Sequence, residues 1–211
     1  SRMLELMGVD KNTPDPTELE VFVRDGDGEP TGWVRERAWA HFLDRMYEAI
    51  GWKQPVASSE ELLTPVMDFF RDSGITAMFD GVIETDEMIK AIYDMDRAGH
   101  LYTYYDGSVR FWHLADLPEK IEKLREYQRL YTTEHIKFNT MKLFLDGTNE
   151  SGNSASLHEH INDPGNYGEI MMETDELTKC FLLCNKEGLD LHIHMVGDRA
   201  FRVGCDAVEA A

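Results

Sequence analysis

Basic charge is scarce in this chain. Its 211 residues carry 21 Lys and Arg against 40 Asp and Glu, a formal net charge of −19. A surface that negative repels phosphate backbones, and no basic cluster interleaved with aromatics offsets it, so no nucleic-acid partner is expected. The acidity reads as a solvated, soluble surface. Long hydrophobic runs are missing too. No stretch approaches the ~20 apolar residues that a membrane-spanning helix needs, and the opening "SRMLELMGVDKN" has no apolar core of a secretory leader. No membrane partner is expected. Cysteine is sparse and odd in number, with 3 in the chain. Cys180 and Cys184 lie four apart in a helical pattern and Cys205 stands alone, which suits a reducing, cytoplasmic location. A zinc site on Cys180 and Cys184 lacks a second pair, so both are expected on a buried helix face. No glycine-rich phosphate loop follows the first strand of the regular part, since "FDGVIETDE" is not GxGxxG.

Hydrophobic residues make up 42% of the chain, enough for a core. Residues 10 to 32 are rich in Pro, Gly and Asp and read as loop, with a short strand at Val21–Arg24 and a turn at Asp25–Gly28. Residues 33 to 50 place Trp39, Phe42, Leu43, Met46, Tyr47 and Ile50 at helical spacing. A second helix follows, capped either by Ser58 with Glu61 or by Thr64 with Pro65 at its first position, and ended at Gly74. Residues 1–73 thus form an N-terminal loop and helical segment, and 74–211 a regular alternation. Strands are expected at 74–81, 101–107, 136–147 and 189–197, and helices at 85–99, 116–131 and 174–188, with a last helix capped by Asp198. Single helices between strands mean βαβ units and a parallel sheet.

Parallel α/β sheets carry their chemistry at the carboxyl ends of the strands. That rule selects Asp80, Asp106, Asp146 and His194. Three of these precede a glycine, and Asp-Gly is also ordinary turn chemistry, the favoured reading for Asp106. In "MKLFLDG" Lys142 shares a face with Phe144 and Asp146. A lysine inside a buried strand is costly unless paired or put to use. It either reaches Asp146 or another acid, or serves a site as an amine, a base or a carbamylated metal ligand. In "HIHMVGD" both imidazoles share a face, but His194 lies nearer the strand end and His192 one layer, about 6–7 Å, deeper. His194 is therefore the candidate ligand and His192 the candidate core residue. The loop from Gly147 to Met172 far exceeds the usual βα connection of about 2–6 residues and reads as a substrate wall or lid. Its "HEH" at 158–160 reads as loop surface.

"MKLFLDGTNESGNSASL", then "DPGNYG", then "LHIHMVGDRA" resemble the metal-dependent amidohydrolase superfamily in its amidohydrolase-3 branch, which includes N-substituted formamide deformylases. "ELMGVDKNTPDP", "VRDGDGEPTGWVRE" and "SGITAMFDG" match that branch in the same order, so the resemblance spans essentially the whole chain. It implies an α/β fold, a partial (β/α)₈ TIM barrel covering about strands two to five, with parallel strands and an N-terminal helical and loop insertion. It implies a divalent, zinc-type centre with Lys142, carboxylated, and His194 as metal ligands; the strand-end reading adds Asp80, Asp146 and Asp198 as candidate lining residues. It also implies a small-molecule amide-type substrate whose non-peptide C–N bond is hydrolysed. The superfamily's first-strand His-x-His, sixth-strand histidine and general-base aspartate have no counterpart here. The chain therefore reads as a piece that alone is inactive and binds metal weakly, since two ligands do not close a zinc shell of four. Two other readings compete: a non-catalytic α/β ligand-binding domain, and a dead half-barrel whose unpaired edges drive homo-oligomerisation.

Overall fold

The computed structural model describes residues 1–16, 20–36, 38–53 and 60–211, the side chains of residues 60 and 61 excepted. The chain opens with a one-turn helix α1 (Arg2–Leu6) and an antiparallel hairpin of β1 (Phe22–Arg24) and β2 (Pro30–Val34). The expected turn is there: Gly28 N–H donates to the Asp25 carbonyl at 3.0 Å, and the Asp25 carboxylate accepts from the amides of Asp27 and Glu29. Helix does not begin at residue 33, as the apolar spacing suggested. Thr31, Trp33 and Val34 continue the hairpin, and only after a 3₁₀ turn at Ala40–Phe42 does α2 (Leu43–Ile50) start. β-branched and aromatic residues facing a ready partner strand outweigh the helical period of the residues beyond. Leu4, Met7, Val9, Phe22 and Ala38 form a small buried cluster here, with Phe42 packed edge-on to Phe22.

The next helix, α3 (Glu60–Asp72), carries Pro65 inside it. Thr64 is therefore not its cap, and the alternative cap Ser58 lies outside the described residues. Gly74 ends the helix as expected, at φ +72°, with Ile75 N–H returning to the Phe70 carbonyl.

From there the alternation is regular: β3 (Ala77–Asp80), α4 (Asp86–Arg97), β4 (Tyr104–Arg110), α5 (Leu117–Tyr131), β5 (Ile136–Phe144), α6 (Thr174–Lys186), β6 (Asp190–His194) and α7 (Asp198–Ala210). Thr85 caps α4, its hydroxyl accepting from Met88 N–H at 3.2 Å. The four strands pair in parallel in the order β3-β4-β5-β6. This is an α/β half-barrel. On its outer face Met141, Leu143 and Leu145 are fully buried with Leu124, Leu177, Cys180 and Ala200 from the helices. Cys180 and Cys184 are buried as expected, and burial pushes their thiols up to about 12 and about 11.

The sheet curls strongly. Neighbouring strands lie about 4.8 Å apart, so β3 and β6 would be some ~14 Å apart in a flat sheet. Yet the rings of Phe79 and His192, one from each edge strand, meet edge-on with centroids 5.1 Å apart across the inner face. Inward side chains filling the centre are the packing of a (β/α)₈ interior.

Strand β4 runs further than expected. Asp106 and Gly107 lie inside it, paired with β3 and β5, and do not form a turn. Gly107 is there for space: a Cβ would fall 2.8 Å from Tyr105 and 2.9 Å from Ile83. The following Ser-Val-Arg keeps its ladder, so the carboxyl end of β4 is Arg110. Opposite, β5 has a bulge. Asp106 faces Lys137, but Ser108 faces Thr140, so β5 spends one more residue than β4. The bulge switches the faces of β5. Phe138 before it packs with Tyr127, whereas Met141 and Leu143 after it take the outer face and turn Lys142 and Phe144 inward.

Candidate active site at the strand ends

The inner face of β5 carries the central pair. Lys142 is 4% exposed, and Arg110 of β4 and His192 of β6 flank it in register. Its ammonium rises along the strand and sits 4.5 Å from the centroid of the Phe144 ring. His194 packs against that same ring, centroids 5.1 Å apart, from the register position beside it. Lys142 and His194 thus both pack on the Phe144 ring at the carboxyl end. No acid pairs with Lys142 among the described residues, and burial alone holds its amine below the ordinary lysine value.

Asp146 does not pair with the lysine. One carboxylate oxygen accepts from Val196 N–H at 2.9 Å, and the other from Gly197 N–H at 2.7 Å and Ala155 N–H at 2.9 Å. It ties the end of β5, the long loop and the turn after β6 into one unit. Gly197 is required at that knot, because a Cβ would lie 1.8 Å from the Ala155 carbonyl oxygen.

Asp80 closes β3 as expected. Its carboxylate accepts from the Tyr105 hydroxyl at 2.8 Å and from Val82 N–H at 3.2 Å. Burial raises its pKa, with these hydrogen bonds offsetting only part. Asp198 is the first residue of α7 and not its N-cap, which is Gly197. Its carboxylate reaches instead to Leu157 N–H of the long loop, 2.7 Å away, because the loop backbone occupies the cap position. His192 is exposed, against the expectation of a core residue. On a curled four-strand sheet the deeper layer of β6 opens to the concave face, where the Phe79 ring meets it edge-on. Its pKa is lowered by burial of the ring edge, then by Lys142 and His194.

The long loop forms a wall. His160 bonds to the Ser154 carbonyl at 3.0 Å and His158 is exposed, so "HEH" is loop surface. The wall is fastened from the N-terminal segment by Glu36, which accepts from Ser151 Oγ at 2.6 Å and Asn153 Nδ2 at 3.1 Å. Glu36 holds φ +51°, a left-handed conformation that a non-glycine residue adopts at a cost.

A cavity of about 390 Å³ opens between this wall and the strand ends. Val82 and Glu84 line it after β3, Arg110 and Trp112 at the end of β4, and Phe144 and Asp146 at the end of β5. Asn153 and Met171 of the loop, with Glu20 and Glu36, complete it. Of the expected site residues only Asp146 lines the cavity. Lys142 and His194 pack on the Phe144 ring, while Asp80 accepts from Val82 N–H in the turn after β3 and Asp198 from Leu157 N–H of the loop. Glu36, Arg110 and Trp112 were not expected. Their signal is weak, because Asp106-Gly107 has the chemistry of a turn and Glu36 lies in a stretch with helical apolar spacing.

The sequence profile of the amidohydrolase family matches residues 1–211. The chain belongs to the amidohydrolase family. Among curated relatives, the amidohydrolase chain is 28% identical to the exoenzymes regulatory protein AepA of Pectobacterium carotovorum subsp. carotovorum, over 100% of its own length and 44% of AepA's. It is 27% identical to YtcJ of Bacillus subtilis (strain 168), over 99% of its length and 38% of that protein's. The chain therefore spans less than half the length of these relatives. A solved structure of an uncharacterised metal-dependent hydrolase from Pyrococcus furiosus shares its fold, with a TM-score of 0.60 and 22% identity over 100% of this chain and 40% of that one.

The side chains gathered here fall short of a complete metal site. An imidazole and a buried amine without a counter-acid converge on one ring, and a second imidazole lies in register beside the amine. No group of three or more His, Cys, Asp and Glu that could hold a metal ion occurs among the described residues. No helix among them is long and apolar enough to cross a membrane.

Proposed function

We propose that this chain is part of a metal-dependent hydrolase of the amidohydrolase-3 branch, acting on a non-peptide C–N bond of the amide or formamide type. The observation that carries the reading is Lys142. It is buried in the inner face of a parallel half-barrel, at the end where such folds do chemistry, with no acid among the described residues to neutralise it. A buried unpaired ammonium is costly and a neutral amine is not, so the site favours the form that adds carbon dioxide. That addition forms one N–C bond, releases one proton and leaves a carbamate. Carbamylated Lys142 and His194 would hold a divalent, zinc-type ion, with Phe144 fixing both. Such an ion, when bound, supplies Lewis-acid polarisation of the substrate carbonyl and a water of lowered pKa. The chain's own residues do the rest. Asp146 rigidifies the three segments that meet at the mouth, and Glu36 fastens the wall. Two ligands leave a zinc shell half filled, so binding by this chain is expected to be weak.

The test is incubation with ¹³C-labelled bicarbonate and zinc, read by carbamate ¹³C resonance and by metal content after desalting. A carbamate signal that Lys142→Ala abolishes, with zinc retention that falls in both Lys142→Ala and His194→Ala, supports the reading. No carbamate, or zinc retention indifferent to both substitutions, overturns it.

A further inference from the structure

The lining of the cavity at the strand ends selects the shape and charge of what enters it. Its floor is an aromatic pair: the rings of Trp112 and Phe144 stack at 30°, centroids 6.0 Å apart. The guanidinium of Arg110 lies 4.8 Å from the Trp112 ring, so one of the indole's neighbours is already charged. Trp112 is nevertheless 39% exposed, a large apolar face turned to the cavity. It is held there. The carboxylate of Asp116 accepts from the backbone N–H of Trp112 at 3.1 Å and of His113 at 2.7 Å, and Glu176 accepts from Leu114 N–H. A loop braced at three successive amides presents its tryptophan at no further ordering cost. The charges around it are lopsided. Among the described lining residues Glu20, Glu36, Glu84 and Asp146 stand against Arg110, itself 3.9 Å from Glu84, and the chain as a whole is at −19.

We infer that this cavity binds a planar apolar group, an aryl substituent, on a substrate that carries no negative charge and tolerates a positive one. The inference rests on the hydrolase reading and gives that substrate its class and orientation. The aryl group lies on Trp112, and the scissile bond points past Phe144, whose ring already touches Lys142 and His194. A carboxylate or phosphate on the distal part is refused by the surrounding carboxylates. A protonated arylalkylamine is accepted both by the ring face and by the field.

Calorimetric titration of the whole chain with phenethylamine, phenylacetate and hexylamine, with chelator present, tests it. Phenethylamine is expected to bind about tenfold tighter than either of the others. Trp112→Ala should erase its advantage over hexylamine, Trp112→Phe should keep it, and raised salt should narrow its advantage over phenylacetate. Circular dichroism checks that each variant is folded. Equal binding of phenylacetate or hexylamine, no binding of any probe, or a ring preference that survives Trp112→Ala in a folded protein overturns the inference. Because no metal is present, aryl-amine binding that persists while the carbamate and zinc experiment fails sinks only the hydrolase reading.

Discussion

The two faces of β5 follow different rules. On the outer face Met141, Leu143 and Leu145 are all sealed under helices, apolar against apolar. On the inner face the same strand sends a lysine and a phenylalanine toward an open mouth, with a cavity above and an exposed histidine alongside. The outer face stores the stability of the half-barrel. The inner face carries groups that stability alone would not select. A residue on one face should therefore fail differently from its neighbour on the other.

The sharpest break of that contrast pairs adjacent residues. Leu143→Ala removes a fully buried side chain from the outer face and should cost about 2–5 kcal/mol in denaturant unfolding. Lys142→Met, one residue away, replaces a buried unpaired amine with an apolar chain of similar length. It should leave the unfolding midpoint unchanged or raise it, while removing carbamate formation. A Lys142→Met protein as unstable as Leu143→Ala would show that the lysine is structural.

A second pairing sets Asp146 against Asp198. Asp146 is 4% exposed and accepts three backbone N–H groups from the long loop and the turn after β6. Asp146→Ala strands those donors and should cost about 3 kcal/mol. Asp198 is exposed and accepts from Leu157 N–H at its surface, so Asp198→Ala should scarcely move the midpoint. Equal losses would contradict the view that the wall is knotted at Asp146.

How much of this was legible follows from the same two faces. The strand–helix alternation from residue 77 onward was readable because the outer-face apolar residues recur at the periods of each element. Lys142 and His194 were readable as an anomaly, polar groups inside apolar strands. Three things were hidden. The β5 bulge changes face by one residue and leaves no local signature. The run of β4 past Asp106-Gly107 depends on Ile83 and Tyr105 closing over a glycine, a tertiary fact. Glu36 acquires its role from Ser151 and Asn153, more than a hundred residues away. Composition and spacing carry no term for such contacts.

Glu36 also gives a smaller, local test. Glu36→Ala removes the two hydrogen bonds that tie the wall to the N-terminal segment but leaves the knot at Asp146. Limited proteolysis should then cut within 148–153 faster than in the parent, with little change in global unfolding. Cleavage unchanged in rate would mean that the wall stands without its latch.

The smallest effect separates two carboxylates at neighbouring positions of the fold. Burial raises the pKa of Asp80 above the ordinary aspartate value, whereas Lys123 first and then Tyr127 lower that of Asp86 beneath it. Linkage gives them opposite signs. A carboxyl with a raised native pKa binds its proton more tightly folded than unfolded. Its contribution is present below the unfolded pKa and is lost as pH rises through the higher native value. A carboxyl with a depressed native pKa contributes above the unfolded pKa and loses that contribution as pH falls through the lower native value. Asp80→Asn should therefore gain on the parent as pH climbs from about 4 toward neutrality, since its amide can still meet Val82 N–H and the Tyr105 hydroxyl. Asp86→Asn should lose ground to the parent above that pH, and by less than a buried pair would, because Lys123 and Asp86 remain largely in water. Urea midpoints of the three proteins across this range decide it. Differences of the same sign for both variants would show that burial does not govern the aspartate beneath the mouth.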